Sequence, residues 1–378
     1  MTDTLGIGII GCGNISASYF KLAPLFRGLE VRACTDLNPA AAEARAKEFG
    51  VKAQTMDGLL GNDEIDVVIN LTVPDAHYAV TTAALEAGKH AYSEKPFVLT
   101  IEEGLKLKAL ADGKGLRVGS APDTFLGGAH QYARKLVDDG AIGTVTAGTA
   151  YVMSHGMEMW HPNPGFFFQP GGGPILDLGP YYITDLVNLI GPVKRVAAVT
   201  GMGTPTRLVT AEGPLKGKEI PVGTPTNIHA LLEFESGASV MLGASWDVWA
   251  HRHRNIELYG TDGALFVPDP NWFGGVVEVA GRDGKIEEAT QWEHPFGVPN
   301  DHRPQASFAN YRTAGLADMA VAILDGRPSR CSLDLALHVV DVMTSILKSG
   351  EAGAFVDLQT TCTRPEPLDP AAARALLV

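Results

Sequence analysis

At 378 residues, 45% hydrophobic and 19% charged, the chain is too long for one ordinary domain and long enough for two, each with its own core. Its 30 basic residues face 43 acidic ones, a formal charge of −13, which argues against a nucleic-acid partner, and no apolar run is long enough to span a bilayer. Four scattered cysteines (Cys12, Cys34, Cys331, Cys362) include no Cys-x-x-Cys pair, so they suggest neither a disulfide framework nor a metal site. The first residues run straight into an apolar strand with no basic region and cleavage site ahead of it, and the expected location is cytoplasmic.

Residues 5–10, an apolar run, end in Gly11-Cys12-Gly13-Asn14-Ile15-Ser16, and a helical pattern follows through Leu25. A second strand closes on Asp36, and an alanine-rich helix runs from Pro39 to Phe49. A buried strand at Asp66 to Leu71 ends in Thr72-Val73-Pro74, and a helix from His77 to Ala87 precedes a strand at His90 to Ser93. This alternation predicts a parallel, doubly wound sheet with right-handed crossovers over 1–122.

Beyond Pro122 the texture changes. A helix from about Gly127 to Asp139 leads to a strand near Thr144 to Ser154 and then to a Pro-, Phe- and Gly-rich loop from Trp160 to Gly173. Strand-like runs at His229 to Glu235, Ser239 to Asp247, Asn255 to Tyr259 and Val276 to Ala280 are separated by glycine turns, which predicts an antiparallel sheet. Residues 201–225 read as a long loop, and helices are expected at Ala306 to Leu324 and Leu333 to Leu347. The predicted division is a nucleotide-binding domain over 1–122, an α+β domain over 123–356 and a tail over 357–378.

Gly11-x-Gly13 lies between a strand and its helix, where glycines let the backbone approach a pyrophosphate. The third fingerprint position is Ser16, neither Gly nor Ala, so the motif alone is weak. Asp36 closes the second strand about 20 residues on, where a carboxylate can accept both ribose hydroxyls. Asp36 would repel a 2′-phosphate and no arginine follows it directly, so NAD is expected in preference to NADP. Read alone, the glycines could serve a tight turn and Asp36 a helix cap; the combination favours the cofactor.

Glu94-Lys95-Pro96 follows the strand at His90 to Ser93, placing a lysine at the carboxyl edge of the sheet, where ligands bind in open parallel sheets. Gly171-Gly172-Gly173 introduces Asp177 and Tyr181, four apart and on one face if the segment is a single helix. At these residues the chain resembles the glucose-fructose oxidoreductase and inositol dehydrogenase family (Gfo/Idh/MocA) over essentially its whole length. The marks are Gly11-x-Gly13, Thr72-Val73-Pro74 with His77, Glu94-Lys95-Pro96, the Gly171 to Tyr181 segment and Tyr259-Gly260-Thr261-x-Gly263. The resemblance implies an N-terminal Rossmann domain and a C-terminal α+β domain with a large open, mainly antiparallel sheet, assembled as a homodimer or homotetramer.

It further implies cofactor contacts from Gly11, Gly13, Asn14, Ile15, Asp36, Thr72, Pro74, His77, Glu94 and Lys95. Tyr181 stands where inositol dehydrogenase-like members carry His, so the chain resembles the branch of xylose and dihydrodiol dehydrogenases, which implies Lys95 and Tyr181 as catalytic pair. Oxidising an alcohol needs a base for the hydroxyl proton, and a free phenol, with a pKa of about 10, is a poor one at neutral pH. A nearby ammonium favours the phenolate and polarises a substrate oxygen. Asp177 would then orient a neighbouring hydroxyl.

His155, Trp160 and His161 precede the catalytic segment and are candidates, with Tyr311, to line a sugar pocket; a packed loop histidine and an intradomain stack are the plain alternatives. His251-Arg252-His253 shares no local carboxylate, and no metal is expected. Many relatives carry an arginine in the segment that here reads Ser120-Ala121-Pro122-Asp123-Thr124-Phe125, and that arginine is missing. The sequence therefore points to an NAD-dependent dehydrogenase of a small sugar or polyol, with an aldose such as xylose or apiose oxidised at C1 to the lactone as one form. A redox-neutral NAD-using glycosidase or epimerase-type enzyme, and a non-catalytic sugar- or NAD-sensing protein, are the alternatives.

Overall fold

Strands buried on both faces come from unbroken apolar runs. In the computed structural model, which describes residues 4–290, 292–304 and 306–378, six such strands form one parallel sheet: β1 (Leu5–Ile10), β2 (Leu29–Thr35), β3 (Lys52–Ala53), β4 (Val67–Asn70), β5 (His90–Ser93) and β6 (Val118–Ser120). Their order is β3-β2-β1-β4-β5-β6, the two-winged order of a dinucleotide-binding sheet. Ile7, Ile9, Val67, Val68 and Ile69 are fully buried at its centre. The crossovers carry α1 (Ser16–Leu22), α2 (Pro39–Phe49), α3 (Met56–Leu60), α4 (His77–Glu86) and α5 (Ile101–Lys114). The side chains of Asn38, Thr55 and Thr100 cap α2, α3 and α5 by accepting from first-turn N–H groups, each contributing about 1 kcal/mol.

The chain divides into two compact units, one of residues 1–128, 293–340 and 365–378, the other of 129–292 and 341–364. The second unit holds α6 (Gly128–Asp138) from Ala129 onward, α7 (Pro174–Asp177), α8 (Gly179–Ile190) and a nine-stranded sheet. The strands are β7 (Val145–Met153), β8 (Val193–Gly201), β11 (Asn227–Phe234), β12 (Ser239–Ser245), β13 (Ile256–Gly260), β14 (Ala264–Val267), β15 (Glu278–Ala280), β16 (Ile286–Glu288) and β17 (Val356–Asp357); β9 (Thr206–Leu208) and β10 (Glu219–Pro221) form a separate hairpin. The order is β16-β15-β14-β13-β7-β12-β11-β8-β17, antiparallel throughout except for the parallel β7–β12 pair. The sheet is thus mixed, not purely antiparallel, because β7 is separated from β12 by the whole of α7, α8 and the hairpin. Helix α8 is buried over Gly179–Leu189, including its polar residues. His130 Nδ1 and Asp185 meet at 2.8 Å with both side chains fully buried, and Arg134 Nη1 donates to the Asn188 carbonyl at 2.9 Å.

Three expectations need correction. The stretch 201–225 is not all loop: β9 and β10 pair within it, and Val209, Ala211, Ile220 and Val222 pack with Met157, Phe168 and Trp246 as a separate small core. The helix expected from Ala306 begins at Ala314, here α9 (Ala314–Asp325). Before it, Asp301–His302 pairs with Ser307–Phe308, and Thr313 is held at φ 113. The fully buried Asp123 carboxylate imposes that start by accepting from the Thr313 and Gly315 N–H groups, both at 2.9 Å, so a tertiary anchor overrides local propensity. Asp177 and Tyr181 do not share one helix: α7 ends at Asp177 and α8 begins at Gly179. Pro180 has no N–H to continue the ladder and is well placed only in the first turn of a new helix.

The chain closes with α10 (Leu333–Ala352) and α11 (Pro370–Ala375). The final residues return to the first unit, where the Val378 N–H donates to the Leu25 carbonyl at 3.0 Å and Arg27 N–H to that of Leu376 at 2.9 Å. No helix among the described residues is long and apolar enough to cross a membrane.

Candidate functional site

In the first unit the turn after β1 is set by two different glycines. Gly11 stands at φ 101, and a Cβ there would lie 2.6 Å from the backbone of Leu71, so the close approach of the chain leaving β1 to the chain leaving β4 requires glycine. Gly13 is exposed, and a Cβ would meet nothing within 4 Å. Its lack of a side chain serves no packing and leaves the space a ligand needs. Ser16 fills the third fingerprint position by donating its hydroxyl to the Gly13 carbonyl at 2.6 Å, closing the turn that exposed Asn14 and half-buried Ile15 occupy.

Asp36 follows β2 with its carboxylate fixed at both oxygens: Oδ2 accepts from the Cys12 N–H at 2.7 Å and Oδ1 from the Asn38 N–H at 2.8 Å. Each oxygen keeps a lone pair for a ribose hydroxyl. The open Gly13 and this anchored acceptor fit the diphosphate and ribose of a dinucleotide.

At the carboxyl ends of β4 and β5 the remaining cofactor candidates form one network. Thr72 donates its hydroxyl to Asn70 Oδ1 at 2.6 Å, and half-buried Pro74 opens the turn into α4. His77 sits with Nδ1 2.7 Å from the Pro96 carbonyl and Nε2 3.0 Å from that of Thr72. A neutral ring can donate to only one of them, and burial, outweighing both bonds, pushes the His77 pKa below its ordinary value. Glu94 accepts from the Tyr19 hydroxyl at 2.9 Å and from the Lys95 N–H at 2.9 Å, which fixes the backbone from which half-buried Lys95 projects. The role of Tyr19 was not evident from the sequence; its single turn of helix after the glycine loop was the available sign.

In the second unit Gly171 and Gly173 take φ 90 and 87. The Gly173 N–H donates to the Phe167 carbonyl at 2.7 Å, and a Cβ on Gly172 would lie 2.4 Å from that oxygen. This folded turn delivers half-buried Asp177 at the end of α7 and buried Tyr181 in the first turn of α8. The aromatic loop ahead of it is continuous with the turn: Trp160 meets His161 edge-on at 5.6 Å between ring centres, and His161 meets Phe167 at 5.2 Å. His155 stacks on Trp249 at 3.6 Å.

Tyr311 lies in the first unit, tilted against Phe296 at 5.1 Å with its hydroxyl donated to the Val298 carbonyl at 3.0 Å. That geometry matches the packing alternative. Asp185 pairs with His130 and is structural. A cavity of about 300 Å³ lined by Arg254, Phe266, Glu278 and Glu288 contains none of the predicted site residues and lies at the outer strands of the large sheet; the chemistry follows the motifs.

Comparison with known proteins agrees with this layout. Residues 5–121 match the profile of an oxidoreductase family with an NAD-binding Rossmann fold, and residues 130–266 that of the GFO/IDH/MocA C-terminal domain. Levoglucosan dehydrogenase of Pseudarthrobacter phenanthrenivorans is 27% identical over 78% of this chain and 82% of its own length. D-xylose dehydrogenase of Paenarthrobacter nicotinovorans is 26% identical over 59% of this chain and 60% of its own. Among solved structures, levoglucosan dehydrogenase in its apo form superposes with a TM-score of 0.81 at 22% identity, covering 96% of this chain and all of the other. An oxidoreductase from Agrobacterium radiobacter, solved with NAD+, L-tartaric acid and magnesium, gives 0.77 at 18% identity over 93% of this chain and 98% of its own.

The fold and the paired motifs define a two-unit oxidoreductase whose N-terminal sheet binds NAD. The chain belongs to the Gfo/Idh/MocA family.

Proposed function

We propose that this protein is an NAD-dependent dehydrogenase of a small neutral sugar or polyol, with Lys95 and Tyr181 as catalytic pair and Asp177 holding a hydroxyl next to the reacting one. The observation that carries this reading is the Gly171–Gly173 turn. It uses two left-handed glycines and a backbone clamp at Phe167 to deliver Asp177 at the end of α7 and Tyr181 in the first turn of α8. Levoglucosan and D-xylose, the substrates in the relatives' names, support a small sugar as the substrate class. An aldose oxidised at C1 to its lactone is one form of the reaction.

NAD, when bound, supplies the hydride acceptor. Tyr181 takes the hydroxyl proton, Lys95 carries the positive charge that compensates it, and Asp177 fixes which carbon is presented. His155, Trp160 and His161 line the sugar site. A homodimer or homotetramer built on the open face of the large sheet and a cytoplasmic location complete the reading.

The test is NADH formation at 340 nm with NAD and then NADP across aldoses, inositols and glycosides. Lys95→Ala and Tyr181→Phe are expected to lower kcat by about 10²–10⁴-fold while leaving NAD binding measurable. Either variant turning over at the wild-type rate refutes the pair. Sugar binding without NADH accumulation favours the redox-neutral alternative.

A further inference from the structure

The hairpin β9–β10 and the loops 155–168 and 246–249, all in the second unit, enclose a charged cluster of which the dehydrogenase reading uses His155 and leaves Glu158, Arg207 and Asp247 without a role. Arg207, 6% exposed, donates through Nη1 to Glu158 Oε1 at 3.2 Å and through Nη2 to Asp247 Oδ1, and its guanidinium lies 5.5 Å from the centre of the Phe168 ring. His155 Nε2 approaches Glu158 Oε1 at 3.4 Å, and Thr226 donates to Asp247 Oδ2 at 2.7 Å.

Four buried polar atoms in this one cluster have no partner among the described residues: His155 Nδ1, Glu158 Oε2, Arg207 Nε and Trp246 Nε1. A buried polar atom without a partner costs about 1–3 kcal/mol, so native structures rarely concentrate them. Donors and an acceptor are both among the four, so a simple anion or cation does not complete the set.

The cluster opens to solvent at His155 and Asp247, whose side chains are 19% and 17% exposed. At that opening Trp249, 75% exposed, stacks on His155, and the loop 155–168 carries two more exposed rings, Trp160 at 64% and Phe166 at 51%. Flat apolar rings beside mixed donors and acceptors match a pyranose, which has an apolar face and a rim of hydroxyls that both donate and accept.

We infer that this cluster is a second saccharide subsite, so that the substrate is a glycoside or short oligosaccharide. One ring is presented to Asp177 and Tyr181, and the next stacks on Trp249 and Trp160 with its hydroxyls on His155 and Asp247. Arg207 and Glu158 act as positioning residues that hold those two in place. The loop from Trp160 to Gly173 joins this subsite directly to the turn before Asp177. The inference rests on the sugar dehydrogenase reading for the first ring only.

The full-length protein is titrated calorimetrically with glucose, xylose, methyl β-glucoside, cellobiose, maltose and sucrose. At least one glycoside is expected to bind about tenfold more tightly than its parent monosaccharide, and that preference is expected to vanish in Trp249→Ala and return in Trp249→Phe. Because Trp249 is exposed, the variant keeps its fold, whereas Asp247→Asn serves as second probe wherever it purifies folded. Glycosides binding no better than monosaccharides overturn the subsite. A Trp249→Ala variant that changes oligomer mass but not the preference overturns it in favour of a protein contact. Trp249-dependent binding without NADH from any bound sugar sinks the dehydrogenase reading and leaves the subsite standing; NADH from monosaccharides without glycoside preference does the reverse.

Discussion

Gly11 and Gly13 occupy one motif but serve different ends, and alanine at each separates fold from cofactor binding. At Gly11 a Cβ would sit 2.6 Å from the Leu71 carbonyl in a backbone at φ 101. The left-handed conformation costs an L-residue about 1–2 kcal/mol and overpacking about 1–3 more, so Gly11→Ala is expected to lose about 2–5 kcal/mol in urea unfolding of the apoprotein. At Gly13 the same methyl meets nothing within 4 Å, and the apoprotein should unfold within about 0.5 kcal/mol of wild type. If that space receives the pyrophosphate, Gly13→Ala weakens NAD by tenfold or more, a loss of about 1.4 kcal/mol, read by calorimetric titration. Wild-type NAD affinity in Gly13→Ala would refute the reasoning, since the glycine would then be only a turn residue.

Asp36→Ala removes the acceptor for the ribose hydroxyls and the partner of the Cys12 N–H, so NAD affinity should fall at least tenfold while the preference for NAD over NADP collapses; the two titrations compared in one variant check it. Burial opposes charge on His130, yet the Asp185 carboxylate outweighs it and raises the His130 pKa, so Asp185→Asn should cost about 3–5 kcal/mol by leaving one partner stranded, measured by denaturant unfolding. His294 is pushed down by burial to about 4 from 6.5, with Nε2 3.0 Å from the Leu368 carbonyl and Nδ1 accepting from the Phe296 N–H. The unfolded chain binds a proton between those values that the folded chain refuses. Its stabilisation is therefore complete above pH 6.5 and falls by up to about 3 kcal/mol as the pH drops toward 4. Asp123, pushed up to about 6 by burial, has the opposite sign, destabilising the fold as the pH rises through 3.8 to 6, so the difference between wild type and His294→Gln across that range isolates the histidine. A pH-independent difference would remove the assignment.

The first sheet was legible because its central strands are apolar on both faces and its turns carry glycine: β1, β4 and β5 fall within a residue of the sequence reading. In the second unit α6 and β7 also fall within a residue of the sequence reading, and β11 was legible from its alternation between Asn227 and Phe234. The hairpin at 206–221 was hidden because Pro and Gly at 203–205 and 213–223 read as loop, while the apolar residues that fold it find their partners in Met157, Phe168 and Trp246, far off in sequence. The break between α7 and α8 was visible in Gly179-Pro180, and the four-residue spacing of Asp177 and Tyr181 masked it. Arg207 bonds to Glu158 and Asp247, 49 and 40 positions away, and nothing local marks any of the three as buried.

That burial bears on why the hairpin is built as it is. A buried ion pair gains little over a well-packed apolar substitute of equal volume, because desolvation of the charges offsets their attraction. The apolar residues of the hairpin already give it a core, with Ile220 and Val222 against Phe168 and Trp246. Stability therefore does not explain an arginine between two carboxylates beside unpartnered nitrogens and an unpartnered oxygen. What such a network does supply is direction: it holds the Asp247 carboxylate and the His155 ring in one orientation at the solvent edge, at a cost that a purely structural hairpin has no reason to bear. Replacing Arg207 and Glu158 together by Met and Leu also removes the Arg207 partner of Asp247, so the unfolding free energy should fall by about 1–3 kcal/mol; glycoside preference is erased with it, whereas a purely structural role predicts that loss of stability with the preference unchanged.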